Sequence, residues 1–476
     1  MQTGNRFRCY PTEAQTHSLL QWIGCQRFIY NSKVREDRYF RTFARKSLQH
    51  AGQFAPIDQQ YSHFKTEETP WLSEVPSQVL RNGATKWKQA YSRFFSKLGG
   101  RPVIQRNLGK QSVWLTKELF EFQQITFAES GEVRWHLHVE TKKHPIGFVA
   151  FKSHRAFEPP ASIHISVHAG KWHLSFTYDD GVPEPDEKDT IAWLRQFDEA
   201  ELLAMTVGLD RGVTIPLAAS NGLDFDFIAI QKRRLAKQER HKKRWQRKQS
   251  RRELGSNRWK KAKQRVATHS RYAADVRREF AHQTSHRLAS ETSAKLFVFE
   301  DLKVKNMTAS AKGSIEAPGK KVAQKAGLNR SILASAWGQT KTYLQYKARR
   351  RGKLCIAVSP QYSSQECAAC GHIHPDNRIN QSEFVCQRCG HKDHADHNAS
   401  KIIAKRGVKL LLSGAWKKKV SKKCAVTRTK VGVECPEPVE IILPTLVETV
   451  VSRSGGNTLS LWSLNRETPA TTSKEA

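Results

Sequence analysis

The chain has 476 residues, with 80 Lys or Arg against 44 Asp or Glu and a formal net charge of +36 at pH 7. That length holds two or three domains with ample core, and the charge excess goes far beyond what solubility asks, so it points to a polyanion, most simply nucleic acid. No apolar run approaches the roughly 18 residues of a membrane-crossing helix, and no amphipathic anchor or lipidation motif is legible, which excludes a membrane-surface protein.

In chain order, Asn5 to Tyr10 reads as a strand ended by Pro11. Thr12 and Gln15 form a capping box, and the helix it opens puts Leu19, Trp22, Ile23 and Ile29 near one face. A second helix spans Gln78 to Leu98, with Val79, Trp87, Tyr91, Phe94 and Phe95 as apolar content and Lys86, Lys88, Arg93 and Lys97 among them. Aromatics beside lysines can stack on bases, but an ordinary core face with a solvated rim is the simpler reading. From Val103 the period changes to two. Residues 133–139, 163–167 and 172–178 alternate, and His168-Ala-Gly-Lys171 is a hairpin turn between the last two. These strands predict a small antiparallel barrel. Residues 181–204 read as an acidic linker, with two prolines at its start.

The stretch from Met205 to Gly222 predicts a hairpin whose first strand carries one acid, Asp210, among apolar residues. A later strand, Ala294 to Leu302, carries Glu300 and Asp301, and alternation puts these two on opposite faces. Between Asp210 and Glu300, residues 231–265 hold 17 Lys or Arg and two acids. Gly255-Ser-Asn divides the tract into two predicted helices. Mutual repulsion at this density makes a bare helix pair costly, so Lys232, Arg233, Arg234, Lys237, Arg240, Lys242, Lys243, Arg244, Arg247, Lys248, Arg251, Arg252, Lys260 and Lys261 are candidate nucleic-acid contacts. Residues 303–327 read as a flexible basic loop, Ser331 to Arg351 as helix and Lys353 to Val358 as strand.

Cys367-x-x-Cys370 and Cys386-x-x-Cys389 follow, fifteen residues apart. This is the spacing of a four-cysteine zinc ribbon, with one structural zinc per chain. Gly371 and Gly390 close each knuckle at a position that needs positive φ. With no signal peptide and the other five cysteines scattered, two disulfides are the weaker reading, and a mixed ligand set drawing on His372, His374 or His391 is the minor alternative. Straight after the ribbon, His391 to Ile403 reads as a helix start bearing Asp393 and Asp396, three apart on one face. Beyond Gly407 the composition changes, and 413–476 reads as an appended tail.

Asp210, Glu300 and Asp396 therefore stand on a hairpin strand, a later strand and a helix start. An RNase-H-type sheet gathers such positions at one edge. Three converging carboxylates repel one another, and divalent magnesium, whose ligands are carboxylates, waters and phosphate, relieves that repulsion. Two such ions about 4 Å apart suit phosphodiester hydrolysis. Asp393 competes with Asp396 for the third position.

The set GLDRG at 208–212, FEDLKVKNMT at 299–308, LNRSI…WG at 328–338, SSQECAACG at 363–371 and CQRCGHKDHADHNA at 386–399 resembles the TnpB (OrfB) proteins of bacterial insertion sequences. These are RNA-guided DNA nucleases related to the compact type V CRISPR effectors. The resemblance spans about residues 5 to 410, and its C-terminal half is specific in order and spacing. It implies an α/β multi-domain chain. A wedge β-barrel occupies 1–10 and 101–180, with a helical recognition domain at 11–100. A RuvC-like nuclease domain occupies 205–365 and 391–412, with a basic helical insertion at 230–290 and a zinc ribbon at 366–390. It also implies Asp210, Glu300 and Asp396 as catalytic acids and magnesium ligands, a guide RNA and target DNA as partners, and a place in the bacterial cytoplasm at the nucleoid. One departure stands out: where the family has Asp-Arg-Asp, this chain has His394-Ala-Asp396. Two other functions compete with guided cleavage. A repressor that occupies DNA without cutting should lack one of the acids. A strand-transferring transposase should carry its closing Glu on a helix, whereas here Glu300 lies mid-order on a strand.

Overall fold

The computed structural model describes residues 1–52, 57–107, 109–126, 133–140 and 145–414. The expected tail lies outside them beyond Gly414. The chain forms two compact units: Thr12–Gln105 is the body of one, and Met1–Pro11, Arg106–Glu140 and most of the chain from Gly147 on make the other.

Strand β1 (Gln2–Tyr10) leads into helix α1 (Glu13–Tyr39), a π-helical turn at Phe40–Ala44, α2 (Arg45–His50) and α3 (Ser77–Phe95). The capping box forms: Thr12 Oγ1 accepts from the Gln15 amide at 3.3 Å, and Gln15 Oε1 accepts from the Thr12 amide at 3.0 Å. Leu19, Trp22, Ile23 and Ile29 are buried, as the periodicity predicts. In α3, Trp87 and Tyr91 pack with Tyr30 and Val34, so this aromatic stripe is core, while Phe95 is exposed.

The larger unit holds two sheets. In the first, β1 joins β2 (Gln111–Thr116), β3 (Phe120–Thr126), β4 (Val133–Val139), β5 (Gly147–Lys152), β6 (Ser162–His168) and β7 (Lys171–Asp179) in the order β2-β6-β7-β1-β5-β4-β3, every pair antiparallel. The β6–β7 turn is the one the sequence predicts, with Ala169 and Gly170 at φ of 47° and 75°. Laid flat, seven strands would hold the β2 and β3 edges about 29 Å apart. Yet the two edge strands are joined by only Lys117–Leu119, which span at most about 15 Å. The sheet therefore curls on itself. Phe122 of β3 lies 5.6 Å from Phe176 of β7, across an interior shared with Phe7, Phe151 and Phe157.

The second sheet contains β8 (Thr206–Asp210), β9 (Leu217–Ala219), β10 (Asp224–Phe225), β11 (Leu296–Glu300) and β12 (Leu354–Val358), in the order β10-β9-β8-β11-β12. The first three strands are antiparallel, and β8, β11 and β12 are parallel. The remaining helices are α4 (Glu187–Leu194), α5 (Glu199–Ala204), α6 (Ala229–Ser250), α7 (Asn257–Glu291), α8 (Val304–Met307), α9 (Val322–Ala334), α10 (Trp337–Arg349) and α11 (Ala395–Leu412). On one face Val207, Leu209, Phe297 and Phe299 pack against Phe280 and Leu288 of α7 and Leu344 of α10. On the other, Leu296, Val298 and Ile356 pack against Ile403, Val408 and Leu411 of α11.

Three stretches differ from expectation. Residues 181–204 are not a bare linker: α4 and α5 each have an acidic N-cap, Asp186 and Asp198, and bury Leu194 and Leu202 in the same core as α11. The acids that read as linker are helix-start residues, favoured by the helix dipole. Residues 303–327 carry α8 and the start of α9, with a bridge between Gly313 and Pro318. The predicted helix at 331–351 is two helices, broken where Ala336 takes a left-handed φ of 59°.

A candidate nuclease centre beside a four-cysteine zinc site

Strand alternation decides which acids meet. In β8, Gly208 and Asp210 share the face turned to α11, opposite Val207 and Leu209. In β11, Glu300 shares a face with Leu296 and Val298, the side on which α11 packs. β8 and β11 are adjacent and parallel, with Leu209 paired to Phe299, so Asp210 and Glu300 end neighbouring strands. Asp396 sits in the first turn of α11, directly above them. Asp301 falls past the end of β11, with its amide donating to the Val358 carbonyl at 2.8 Å.

The electrostatics register the convergence. Burial, then the neighbouring charges of Glu300 and Asp396, push the Asp210 carboxyl up to about 7, against the Arg211 amide and the Arg378 guanidinium. Glu300 is also raised by burial, opposed by the Ser363 hydroxyl and by Arg211 and Arg406. Two neighbouring carboxyls that resist losing their protons, with a third carboxylate beside them, have the donor chemistry of a divalent-cation site. Gly212 leaves the approach open: a Cβ there would lie 3.6 Å from Asp396 Oδ2 and 2.6 Å from the Ile215 carbonyl.

Asp393 is not on the helix face with Asp396. It belongs to β14 (Lys392–His394), which pairs with β13 (Glu383–Val385), and its Oδ2 accepts from Lys401 at 2.8 Å. His394, at the position of the missing family Asp, caps α11 by accepting from the Asp396 amide through Nδ1 at 3.3 Å.

Three further residues stand at the centre that sequence reasoning does not single out. Ser363 Oγ donates to Glu300 Oε1 at 2.6 Å. Arg378, in the loop between the zinc knuckles, donates to Asp396 Oδ1 at 3.2 Å. Arg211 is buried and donates to the Glu300 backbone carbonyl. Arg211 adjoins Asp210 in the GLDRG motif, which is a usable signal. Ser363 and Arg378 carry none: Ser363 reaches Glu300 because β12 pairs with β11, and Arg378 reaches Asp396 through the ribbon's fold.

The sulfurs of Cys367, Cys370, Cys386 and Cys389 lie within 4.8 Å of one another. Cys367 to Cys389 is 3.7 Å and Cys370 to Cys386 is 3.6 Å, close to the roughly 3.8 Å between sulfurs of a zinc tetrahedron with bonds of about 2.3 Å. Gly371 and Gly390 take φ of 72° and 69°. Their amides donate to the Cys367 and Cys386 carbonyls, so the two knuckles repeat one geometry. The cluster fits a structural zinc.

The basic tract becomes an antiparallel pair, α6 against the first half of α7. No residue of α6 is buried. Lys232, Arg233, Arg234, Lys237, Arg240, Lys243, Arg244, Arg247, Arg251, Lys260 and Lys261 are exposed, and Lys242, Lys248 and Arg252 are half-exposed. Lys232 pairs with Asp226 and Lys242 with Glu239.

Three family profiles match in order along the chain. The OrfB helix-turn-helix domain covers residues 1–39, the OrfB family of IS605 type, described as a probable transposase, covers 195–311, and a Cas12f1-like TNB domain covers 337–403. Residues 1–39 are a strand and one long helix here, so the first description does not match the local structure. The chain is 29% identical over 416 residues to the putative RNA-guided DNA endonuclease InsQ of Escherichia coli (strain K12), covering 86% of this chain and 93% of that protein. It is 27% identical over 415 residues to a putative RNA-guided DNA endonuclease of Streptomyces pristinaespiralis, covering 85% and 89%. Among solved structures, the mini-RNA-guided endonuclease CRISPR-Cas_phi3 overlaps 86% of this chain and 93% of its own at 10% identity and a TM-score of 0.44, a loose likeness. No helix among the described residues is long and apolar enough to cross a membrane. With the profiles in order and two relatives aligned over most of its length, the chain is similar to the OrfB (TnpB) proteins of insertion sequences.

Proposed function

We propose that the chain is an RNA-guided DNA endonuclease of a bacterial insertion sequence, whose RuvC-like, RNase-H-type domain hydrolyses DNA phosphodiesters at Asp210, Glu300 and Asp396. The observation that carries this reading is the convergence of these carboxylates on one face of the β8–β11 edge, beneath the start of α11. The names of the two long relatives support the guided nuclease function.

The three acids would hold two magnesium ions, which when bound activate a water and stabilise the leaving oxygen. The residues of this chain do the rest. Ser363 and Arg378 each engage one oxygen of an acid, Glu300 Oε1 and Asp396 Oδ1, and so fix the carboxylate planes. Arg378 also brings a positive charge to the place where a scissile phosphate meets Asp396, where it offsets phosphate charge. Pairing with the guide reads the target, and the protein reads a short flanking motif. In this scheme the curled sheet is the wedge barrel, α1 to α3 form the recognition domain, the exposed cations of α6 and α7 face the guide–target duplex, and the protein acts in the cytoplasm at the nucleoid.

The test is to purify the protein, sequence the RNA that survives a high-salt wash, and assay cutting of matched DNA. One dominant species encoded beside the gene, whose 3′ segment can be rewritten to redirect cutting, is expected. A random sample of cellular RNA, with cutting unchanged after RNase treatment, would overturn the guided reading.

A further inference from the structure

We infer that the zinc ribbon is the positioning scaffold of the carboxylate centre, and that Asn398 is the positioning residue that couples the two. This deepens the nuclease reading above and rests on it. Asn398 is fully buried in α11, two residues after Asp396. Its Nδ2 donates to the Glu366 carbonyl at 2.7 Å, and its Oδ1 accepts from the Ala368 amide at 2.9 Å. Those backbone groups flank Cys367, a zinc ligand. One side-chain amide thus clamps the first knuckle, on both sides of its first sulfur, to the helix that presents the third acid.

The coupling is reinforced at four other points. Lys405 Nζ donates to the Ala368 carbonyl at 2.5 Å. Arg406 donates to the carbonyls of Ser359 and Gln361 at 3.0 and 2.7 Å, and pairs with the Glu366 carboxylate. Ala395, the first residue of α11, packs with Phe384 between Cys367 and Cys386 in one small apolar cluster. From within the ribbon, Arg378 reaches Asp396. The third acid, Asp396, is therefore held by groups whose places depend on the ribbon, directly through Arg378 and through the helix that Asn398 clamps. The ribbon in turn has too small an apolar core to hold its shape without its metal. Outer residues that orient metal ligands typically set affinity by about 10- to 100-fold.

A merely structural Asn398 predicts something different: lost stability with unchanged behaviour in whatever remains folded. The experiment uses the full chain with its guide RNA and measures three quantities for Asn398→Ala and Asn398→Asp. These are zinc per chain by elemental analysis, Mn2+ binding by electron paramagnetic resonance, and target binding. Asn398→Asp keeps the volume and the acceptor for Ala368 but sets an oxygen against the Glu366 carbonyl. Expected are one zinc per chain, parental target binding and an Mn2+ half-saturation raised about ten-fold in both variants. Zinc-loaded, folded Asn398→Ala with parental Mn2+ half-saturation would overturn the coupling. Should the Asn398 variants fail to fold, Lys405→Ala removes the second tie between α11 and the Ala368 carbonyl and leaves Asn398 in place. It should raise the half-saturation in the same direction, and an unchanged value sinks the proposal. Asp210→Ala separates the two claims: if it leaves Mn2+ binding intact, the nuclease centre itself is misassigned, whereas loss there with no change at Asn398 or Lys405 defeats only the coupling.

Discussion

Gly208 faces Ser400 so closely that a Cβ on the glycine would sit 2.0 Å from the serine's carbonyl oxygen and 2.6 Å from the Ala404 amide nitrogen. The helix that carries Asp396 therefore lies directly on the strand that carries Asp210, backbone to backbone. On the next strand the relation is reversed: a Cβ on Gly407 of α11 would meet Val298 Cγ2 at 2.3 Å. These two absent side chains set the height of the helix above the sheet, and hence the reach of the third acid.

Gly208→Ala should destabilise by about 1–3 kcal/mol or more, as overpacking does, and should abolish cutting even where the protein folds. Gly407→Ala should also destabilise, but Gly407→Ala with Val298→Ala should recover much of the loss, because that collision is with a side chain. No substitution at Ser400 should rescue Gly208→Ala. Denaturant midpoints for the four proteins check this, and equal rescue at both sites would show that the helix height is not set this way.

Asp210→Ala, Glu300→Ala and Asp396→Ala should each lower cutting by at least about a thousand-fold, equivalent to some 4 kcal/mol of barrier, while guided DNA binding stays near parental. Asp393→Ala should cut almost as the parent does, since its carboxylate is committed to Lys401. Arg378→Ala should lose most of the rate and Arg378→Lys should recover only part of it, because a point charge does not reproduce the planar fork. An inactive Asp393→Ala beside an active Asp396→Ala would move the third acid to the wrong side of the helix start.

The zinc cysteines and the three acids are legible in the sequence because each motif is local and its chemistry needs a particular residue type at a set spacing. Alternation alone separates Glu300 from Asp301. It cannot separate Asp393 from Asp396, because that choice depends on where a strand ends and a helix begins, and the His394 cap decides it. The acids of 186–201 read as linker when charge is weighed over position: Leu194 and Leu202 are the only fully buried residues of their short helices. Ser363 and Arg378 stay hidden because their partners are 63 and 18 residues away in sequence, brought near by the β11–β12 pairing in the one case and by the ribbon in the other.

The raised Asp210 carboxyl has a consequence for stability. In the unfolded chain an Asp titrates near 3.9, and in the metal-free fold this one sits at about 7. Between those values the folded state binds the extra proton, so this group's contribution falls as pH rises from about 4 to about 7 and is flat above that. Asp210→Asn removes the penalty. The melting temperature of metal-free Asp210→Asn should match the parent near pH 4, exceed it increasingly up to about pH 7 by a few degrees, and keep that margin above it. Millimolar magnesium should raise the parent and leave the variant almost unmoved. A gap that shrinks with rising pH would refute the assignment of the raised carboxyl.

The basic hairpin should act through phosphates rather than bases. Its exposed cations stand on a helix with no buried residue, so they can be removed without disturbing a core. Arg240, Lys243, Arg244 and Arg247 are all exposed along one stretch of α6. Replacing all four by Ala should leave the melting temperature of the free protein unchanged or slightly higher, because like charges are relieved. Binding to nucleic acid should weaken almost equally across sequences. The log–log salt slope should drop by about 0.7 to 0.9 for each phosphate that is no longer neutralised, near 3 in all if each cation meets one phosphate. Filter binding at four or five salt concentrations, with guide RNA alone and with the guide–target duplex, measures this directly. A slope that falls only with the duplex would put the hairpin on the paired strands, as proposed. A slope unchanged with both ligands would mean that these four charges face solvent in every state of the working complex, and the nucleic-acid surface would then have to be sought on another face.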